Sequence, residues 1–120
     1  SEIAGELYGL KILAKGINNS SDNTTRFLIL SREPVYRADA ATVSICFELP
    51  HTSGSLYNIL GNFIFNHVNM KRIESRPVPD RSWEYRFFVD IEGNLENAGV
   101  LNALYGIQRE AQNVRILGCY

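Results

Sequence analysis

The sequence predicts an α+β fold, because segments with the two-residue period of β-strands alternate with segments of helical period along residues 42–120. Apolar side chains alternate in Val43–Leu49 and again in Trp83–Ile91, which is typical of strands with one buried face. In Ser55–His67, and in a second segment after Asn97, the apolar residues instead recur every three or four positions. The order is strand, helix, strand, strand, helix, strand. This order predicts the split-βαβ, ferredoxin-like topology, a four-stranded antiparallel sheet with two helices on one face.

The first strand and helix of this part follow from the periodicity and from Pro50, which ends the strand. Thr42–Leu49 is predicted as a half-buried strand, and its second face carries polar residues such as Glu48. Ser55–His67 is predicted as an amphipathic helix, with its apolar stripe formed by Leu56, Ile59, Leu60, Phe63 and Ile64.

The remaining elements are bounded by turn residues and by a helix cap. Met70–Ser75 is predicted as a strand that ends before Pro77, and Trp83–Ile91 has the strongest alternation in the chain. Asn97 suits the N-cap of the second helix, and Val114–Tyr120 is the last predicted strand. The apolar face of that helix contains Val100, Leu104, Ile107 and Ala111.

The first part of the chain has weaker patterns. Ser1–Leu10 is predicted as a short helix, Lys11–Ala14 and Thr25–Leu30 as strands, and Asn18–Asn23 as a polar loop. A stretch with Pro34 and mixed charges follows. We therefore expect a first domain at residues 1–32, a linker at 33–41 and a second domain at 42–120.

Composition excludes several classes of protein. The chain has 120 residues and a formal net charge of −1, with 45% apolar and 21% charged residues, unlike a disordered chain. No apolar run approaches the roughly 18 residues of a membrane span. Lysine and arginine form no cluster that would attract nucleic acid. We therefore expect a soluble protein of the cytoplasm that binds neither membranes nor nucleic acid.

No metal site, cofactor motif or catalytic constellation is visible in the sequence. Cys46 and Cys119 lie far apart in apolar runs, which is typical of buried free cysteines. His51 and His67 have no evident cysteine or serine partner. We expect no metal and no cofactor.

The loop His51–Leu56 joins the first strand of the sheet to the first helix and contains Gly54. Backbone N–H groups at such a helix start favour an anion, for example the carboxylate of a ligand. A tight turn with Ser53 or Ser55 as the helix cap explains the same residues, and the spacing alone favours it. Both interpretations stay open from the residues alone.

The segment Ile73–Pro77 follows that helix and is rich in charge, because Arg72, Glu74 and Arg76 alternate along the strand. A strand of this kind that ends in proline is typical of an exposed sheet edge. A contact with another subunit is the alternative.

Together these two segments resemble the regulatory ACT domain of the prephenate dehydratase family. The Gly-Ala-Leu loop of that family corresponds to Gly54-Ser55-Leu56, and its Glu-Ser-Arg-Pro motif is unaltered at Glu74–Pro77. The run Trp83–Asp90 and the ending Leu117–Tyr120 also match, in the same order. The resemblance covers residues 42–120 and implies the ferredoxin-like ACT fold.

The first part of the chain resembles the end of the catalytic domain of the same family. Its Thr-Arg-Phe motif corresponds to Thr25-Arg26-Phe27, and the resemblance implies that Thr25 is the essential threonine. Residues 1–32 would then be a short remnant of an α/β catalytic domain. We expect this fragment alone not to convert prephenate to phenylpyruvate, and the sequence leaves open whether the parent enzyme also has a chorismate mutase domain.

The resemblance also implies a ligand and a partner. The family binds L-phenylalanine between two subunits for feedback inhibition of phenylalanine biosynthesis, so we expect a homodimer or a higher homo-oligomer. The ligand residues that it implies are Gly54, Ser55, Leu56, Tyr57, Asn69, Met70, Glu74, Ser75, Arg76 and Pro77.

Two departures from the family pattern affect the expected ligand. Ser55 replaces the usual alanine and Ser53 replaces a common proline, so selectivity for phenylalanine over tyrosine or tryptophan is open. Two alternatives are the regulatory domain of an aromatic amino acid hydroxylase and a dimerisation module without a ligand.

Overall fold

The computed structural model describes residues 2–19, 22, 24–25, 27–33 and 35–120. Two compact units are distinguished along the chain, residues 1–30 and residues 31–120. The predicted division into 1–32, 33–41 and 42–120 stays a prediction. Parts of the predicted loop and linker, namely Ser20, Ser21, Asn23 and Pro34, lie outside the described residues.

In the first unit, the described residues contain one short helix, α1 (Glu2–Leu7), which is shorter than predicted. It ends close to Gly9, whose φ is +61°, while Ser1 lies outside the described residues. The strand predicted at Lys11–Ala14 is wrong, because these residues are exposed and irregular. The described residues of Thr25–Leu30 are also exposed and outside any strand, and Arg26 is not described. A strand needs a neighbouring strand, which local sequence does not supply.

The second unit has the predicted order of elements. Its sheet consists of β1 (Thr42–Leu49), β2 (Met70–Pro77), β3 (Tyr85–Glu92) and β4 (Gln112–Cys119). The strand order is β2-β3-β1-β4, and every neighbouring pair is antiparallel. The helices are α2 (Ser55–Phe65) and α3 (Ala98–Glu110). The predicted ferredoxin-like fold is therefore confirmed.

Both helices pack against one face of the sheet. The core joins Ile59 and Phe63 of α2 to a row of buried residues on α3 and to alternate positions of the central strands. Those residues are Val100, Ala103, Leu104 and Ile107 of α3, Val43, Ile45 and Phe47 of β1, and Val89 and Ile91 of β3. Burial of this apolar surface, at about 25 cal/mol per Å², is the main term that holds helices and sheet together.

Several element ends differ from the predicted ones for local reasons. β3 begins at Tyr85, because Trp83 has a φ of +68° and cannot continue an extended strand. α2 ends at Phe65, and His67 adopts a φ of +55° beyond it. β2 continues to Pro77, since a proline without an N–H is tolerated on an edge strand. The predicted N-cap is confirmed, because the Asn97 side chain accepts from the N–H of Gly99 at 2.9 Å.

The open face of the sheet, opposite the helices, differs from the prediction at β1. The alternation of β1 predicts one buried face, but Thr42, Cys46 and Glu48 are buried on the other face as well. Cys46 and Cys119 are both free and buried, as predicted. Glu48 is the notable case, because an ionised carboxylate that is 1% exposed needs partners for its charge.

Three side chains surround the Glu48 carboxylate and supply those partners. Arg86 of β3 donates its Nε–H to Oε1 at 2.9 Å, and Asn113 and Arg81 donate to Oε2. The hydrogen bonds from Asn113, Arg86 and Arg81 outweigh burial and lower the pKa of Glu48 to about 2. The ionised carboxylate thus joins β1, β3 and the first residues of β4.

We expect Glu48→Gln to lower the free energy of unfolding by about 3 kcal/mol at pH 7, because two guanidinium groups lose their buried counter-charge. The pKa of Glu48 lies near 4.5 when unfolded and about 2 when folded. Its stabilisation is therefore complete above pH 4.5 and is lost as the pH falls towards 2. Urea titrations at pH 7 and pH 3 check this expectation.

The matched control is Glu84→Gln, since Glu84 also binds Arg81, at 2.8 Å, but is more exposed. Its cost should stay below about 1 kcal/mol. Equal costs for the two variants, or an effect of Glu48→Gln that does not shrink at pH 3, would contradict the prediction.

Candidate functional site

The candidate site is built around residues 50–55, which connect β1 to α2 and include the first residue of the helix. We call this segment the ligand loop, after the ligand that the resemblance implies. Gly54 is the N-cap residue of α2 and has a φ of +86°, a left-handed conformation that favours glycine. No side chain caps the helix there. The N–H of Ser55 donates to the carbonyl of Thr52 at 3.2 Å. Within the described residues, the next two N–H groups, those of Leu56 and Tyr57, have no such partner and point towards the end of the helix, where an anion is favoured.

The Ser55 hydroxyl is held within the ligand loop. Its oxygen lies 2.8 Å from the carbonyl oxygen of Thr52 and 3.1 Å from that of Pro50, and it also contacts the Thr52 hydroxyl at 2.5 Å. The sequence left open whether this hydroxyl meets a ligand or closes a turn. In the structure the Ser55 hydroxyl forms hydrogen bonds with the loop residues Thr52 and Pro50, so it closes the turn.

A cavity of about 110 Å³ lies beside the ligand loop, under the start of α2. Its wall combines apolar and aromatic side chains with the loop backbone. The lining residues are Leu49, Pro50, His51, Thr52, Ser55, Leu56, Tyr85 and Phe87. The cavity thus places an apolar wall next to the N–H groups of Leu56 and Tyr57 at the start of α2, which is the combination that an aromatic amino acid needs.

Of the residues implied by the resemblance, Gly54, Ser55 and Leu56 lie at this cavity or next to it. Tyr57 follows in the first turn of α2 and is 78% exposed. Pro77 reaches the same end of the sheet, since it and Leu49 both pair with Tyr85.

Asn69 and Met70 lie at the other end of β2. Met70 pairs with Ile91, whereas Pro77 pairs with Tyr85. With about 3.3 Å per residue, the length of β2 separates Met70 from Pro77 by about 23 Å. One copy of the chain therefore does not bring Asn69 and Met70 to the ligand loop.

The charged residues of β2 lie on the open face of the sheet, because Glu74 pairs with Phe88 while Ser75 pairs with the core-side Phe87. Arg72 donates to Glu74 Oε1 at 2.6 Å and 2.9 Å, and Arg76 donates to Oε2 at 3.0 Å. The hydrogen bonds from Arg72 hold the pKa of Glu74 below its usual range. Within one chain, Arg72, Glu74 and Arg76 form this ion-pair row. Ser75 and Pro77 pair with Phe87 and Tyr85, the two β3 residues that line the cavity.

Thr25 belongs to the first unit and is exposed. Among the residues that the structure describes, no group of histidine, cysteine, aspartate and glutamate side chains could hold a metal ion. The described helices include none that is long and apolar enough to cross a membrane.

Sequence reasoning missed the aromatic wall of the site. His51 lies between two aromatic rings, with centroid distances of 5.8 Å to Trp83 and 6.1 Å to Tyr85. The alternation of Trp83–Ile91 predicts Tyr85 and Phe87 on the core side of the sheet, and in the structure they pair with the buried Leu49 and Phe47. The alternation, together with the predicted pairing of the two central strands, places these residues near Leu49. It carries no information about a cavity between them and the loop.

Comparison with known proteins shows which proteins this chain is similar to. The family model for prephenate dehydratase matches residues 1–35. A bifunctional chorismate mutase/prephenate dehydratase from Aquifex aeolicus is 38% identical over 120 residues, which are 100% of this chain and 33% of the relative. An arogenate dehydratase/prephenate dehydratase from Arabidopsis thaliana is 37% identical, over 100% of this chain and 34% of the relative.

A solved structure extends the match to the fold. The prephenate dehydratase of Arthrobacter aurescens, determined in complex with L-Phe, superposes with a TM-score of 0.64 and 34% identity. The match covers 73% of this chain and 29% of that protein. This chain is related to prephenate dehydratases over its whole length. It spans about a third of the length of the prephenate dehydratase relatives described above.

We expect Ser55→Ala to lower the free energy of unfolding by about 1 kcal/mol, because the Thr52 and Pro50 carbonyl groups lose a hydroxyl partner. Ser53→Ala is the control, since Ser53 is an exposed residue of the same loop. Urea unfolding curves of both variants check the prediction. A larger loss for Ser53→Ala than for Ser55→Ala would contradict it.

Proposed function

We propose that residues 42–120 are an ACT regulatory domain that binds L-phenylalanine at a subunit interface. The observation that carries the proposal is the largely apolar cavity beside the start of α2, where the N–H groups of Leu56 and Tyr57 are available to an anion. The relationship to a prephenate dehydratase that was solved with L-Phe supports this choice of ligand. We also propose that the parent protein is a cytoplasmic prephenate dehydratase, in which L-Phe acts as a feedback inhibitor and Thr25 belongs to the catalytic domain.

The proposed pose follows the charges of the ligand. The carboxylate of L-Phe binds the backbone N–H groups of Leu56 and Tyr57, since that of Ser55 already donates to Thr52. The phenyl ring enters the cavity beside Leu56, Tyr85 and Phe87. A closed cavity of about 150 Å³ binds benzene. The cavity beside the ligand loop has about 110 Å³ and is open to the surface, so it holds most of a phenyl ring and leaves the rest at its mouth, where a partner can cover it.

A second copy of the chain completes the site in this proposal. β2 is an edge strand, and two edge strands can pair in antiparallel fashion around a twofold axis. Such pairing brings the Met70 end of one copy beside the Pro77 end of the other. Asn69 and Met70 of the second copy then border the ligand loop, and Asn69 offers its amide to the ammonium group of L-Phe.

In this proposal, L-Phe inhibits the parent enzyme because it binds two assembly states of the protein with different affinities. A site built from two copies binds L-Phe more tightly in the assembly that closes it, so the ligand shifts the population towards that assembly. The parent enzyme is then less active in the closed state. Arogenate dehydratases are also among the relatives, so arogenate is the second candidate substrate of the parent protein.

Calorimetry of this chain with L-Phe, combined with sedimentation, tests the proposal. We expect one L-Phe per chain, a dimer stabilised by the ligand, and no binding of L-alanine, which lacks the ring. Gly54→Val should abolish binding, because a β-branched residue is strained at a φ of +86°. Gly118→Ala is the control, since a Cβ atom there would meet nothing within 4 Å.

If millimolar L-Phe produces no heat and leaves the dimer unchanged, the proposal is overturned. The domain would then be a dimerisation module that binds no ligand. Binding of L-Phe by a monomer would overturn the shared site.

A further inference from the structure

The connection between β2 and β3, residues 78–84, forms a compact hairpin tip. The N–H of Val78 donates to the carbonyl of Glu84 at 3.0 Å, and the N–H of Arg81 donates back to the carbonyl of Val78 at 3.4 Å. Asp80 and Trp83 have φ values of +62° and +68°. Such values are unusual for a residue as bulky as tryptophan, so contacts outside the turn must hold the tip in this conformation.

The first of these contacts is with Glu48. Arg81 donates to Glu48 Oε2, and its other terminal nitrogen binds Glu84 Oε2 at 2.8 Å. Glu48 is buried and lies one residue before Leu49, from which the ligand loop starts. The guanidinium group therefore ties the hairpin tip to the end of β1.

The second contact is with the ligand loop itself. Trp83 packs beside His51 with a ring-centroid distance of 5.8 Å and an interplanar angle of 35°, within the range of favourable aromatic pairs. His51 lines the cavity, whereas Trp83 is 71% exposed and does not line it. The tip thus reaches the cavity through one aromatic contact.

We propose that Glu48 and Arg81 are positioning residues for the ligand loop. The ion pair holds the hairpin tip, the tip holds Trp83 against His51, and this contact keeps the loop in the shape that borders the cavity. The effect on L-Phe affinity rests on the proposed function, while the effect on the loop conformation does not. Neither Glu48 nor Arg81 lines the cavity, so they act through His51.

Arg86 offers a matched control. It binds the same carboxylate, with Nε 2.9 Å from Glu48 Oε1, but it belongs to the regular strand β3 and not to the hairpin tip. Arg81→Gln and Arg86→Gln each remove one guanidinium group from Glu48. A purely structural role of the buried charge predicts similar effects of the two variants on the loop, whereas a positioning role predicts a difference.

The experiment measures hydrogen exchange of residues 50–57 and L-Phe affinity in the intact chain. We expect Arg81→Gln to speed exchange in the ligand loop and to weaken L-Phe binding about tenfold, with Arg86→Gln within about twofold of the wild type. Trp83 is the only tryptophan in the sequence, so its fluorescence reports on the tip directly. Its emission should change in Arg81→Gln and stay unchanged in Arg86→Gln.

His51→Ala is the second variant, because it removes the loop side of the contact and leaves the Glu48 ion pairs in place. It should reproduce the faster exchange and weaker binding, and combining it with Arg81→Gln should add little. Equal exchange in Arg81→Gln and Arg86→Gln, or normal loop exchange in His51→Ala, would overturn the inference. If the wild type binds no L-Phe, the proposed function fails, and the exchange rates still decide whether the ion pair positions the loop.

Discussion

The ionised carboxylate of Glu48 is the constraint around which the second unit is arranged. A carboxylate charge that is 1% exposed costs several kcal/mol unless donors surround it, and here the donors come from three different segments. Arg86 comes from β3, Asn113 from the start of β4 and Arg81 from the hairpin tip. Satisfying this one group therefore fixes three segments relative to β1, in addition to the apolar packing on the opposite face.

The fold of the second unit could be predicted because local pattern and tertiary packing agree there. The alternation in β1 and β3 and the helical stripes of α2 and α3 predict most of the residues that the structure buries in the core. The exception in α2 is Ile64, which the stripe places in the core and which is 66% exposed. The same reasoning failed at Lys11–Ala14, where apolar residues had no neighbouring strand to pair with. It also failed at Glu48, since alternation treats a glutamate as solvent-exposed and cannot foresee partners that are distant in sequence.

The site was predictable in part for a similar reason. Gly54 and the turn into α2 are local features, and a glycine before a helix is visible in sequence. The contact of His51 with Trp83 depends on the left-handed backbone of Trp83, which keeps this residue out of β3. The alternation predicts Trp83 as part of that strand and therefore does not reveal the contact. The separation of Asn69 from the ligand loop follows from the direction and length of β2, whose Pro77 end lies at the loop. The sequence predicts the order of the strands, but it does not predict the register that sets this distance.

The alternating charges of Arg72, Glu74 and Arg76 also limit how β2 can meet a copy of itself. An antiparallel register centred on Glu74 sets like charges opposite each other, which is unfavourable in a sheet. A register centred one residue earlier sets Arg72 opposite Glu74 twice, and it brings the Asn69 end of one strand alongside Pro77 of the other. In the proposed dimer, the charge sequence of the edge strand thus favours one alignment over the other, and added salt weakens that preference.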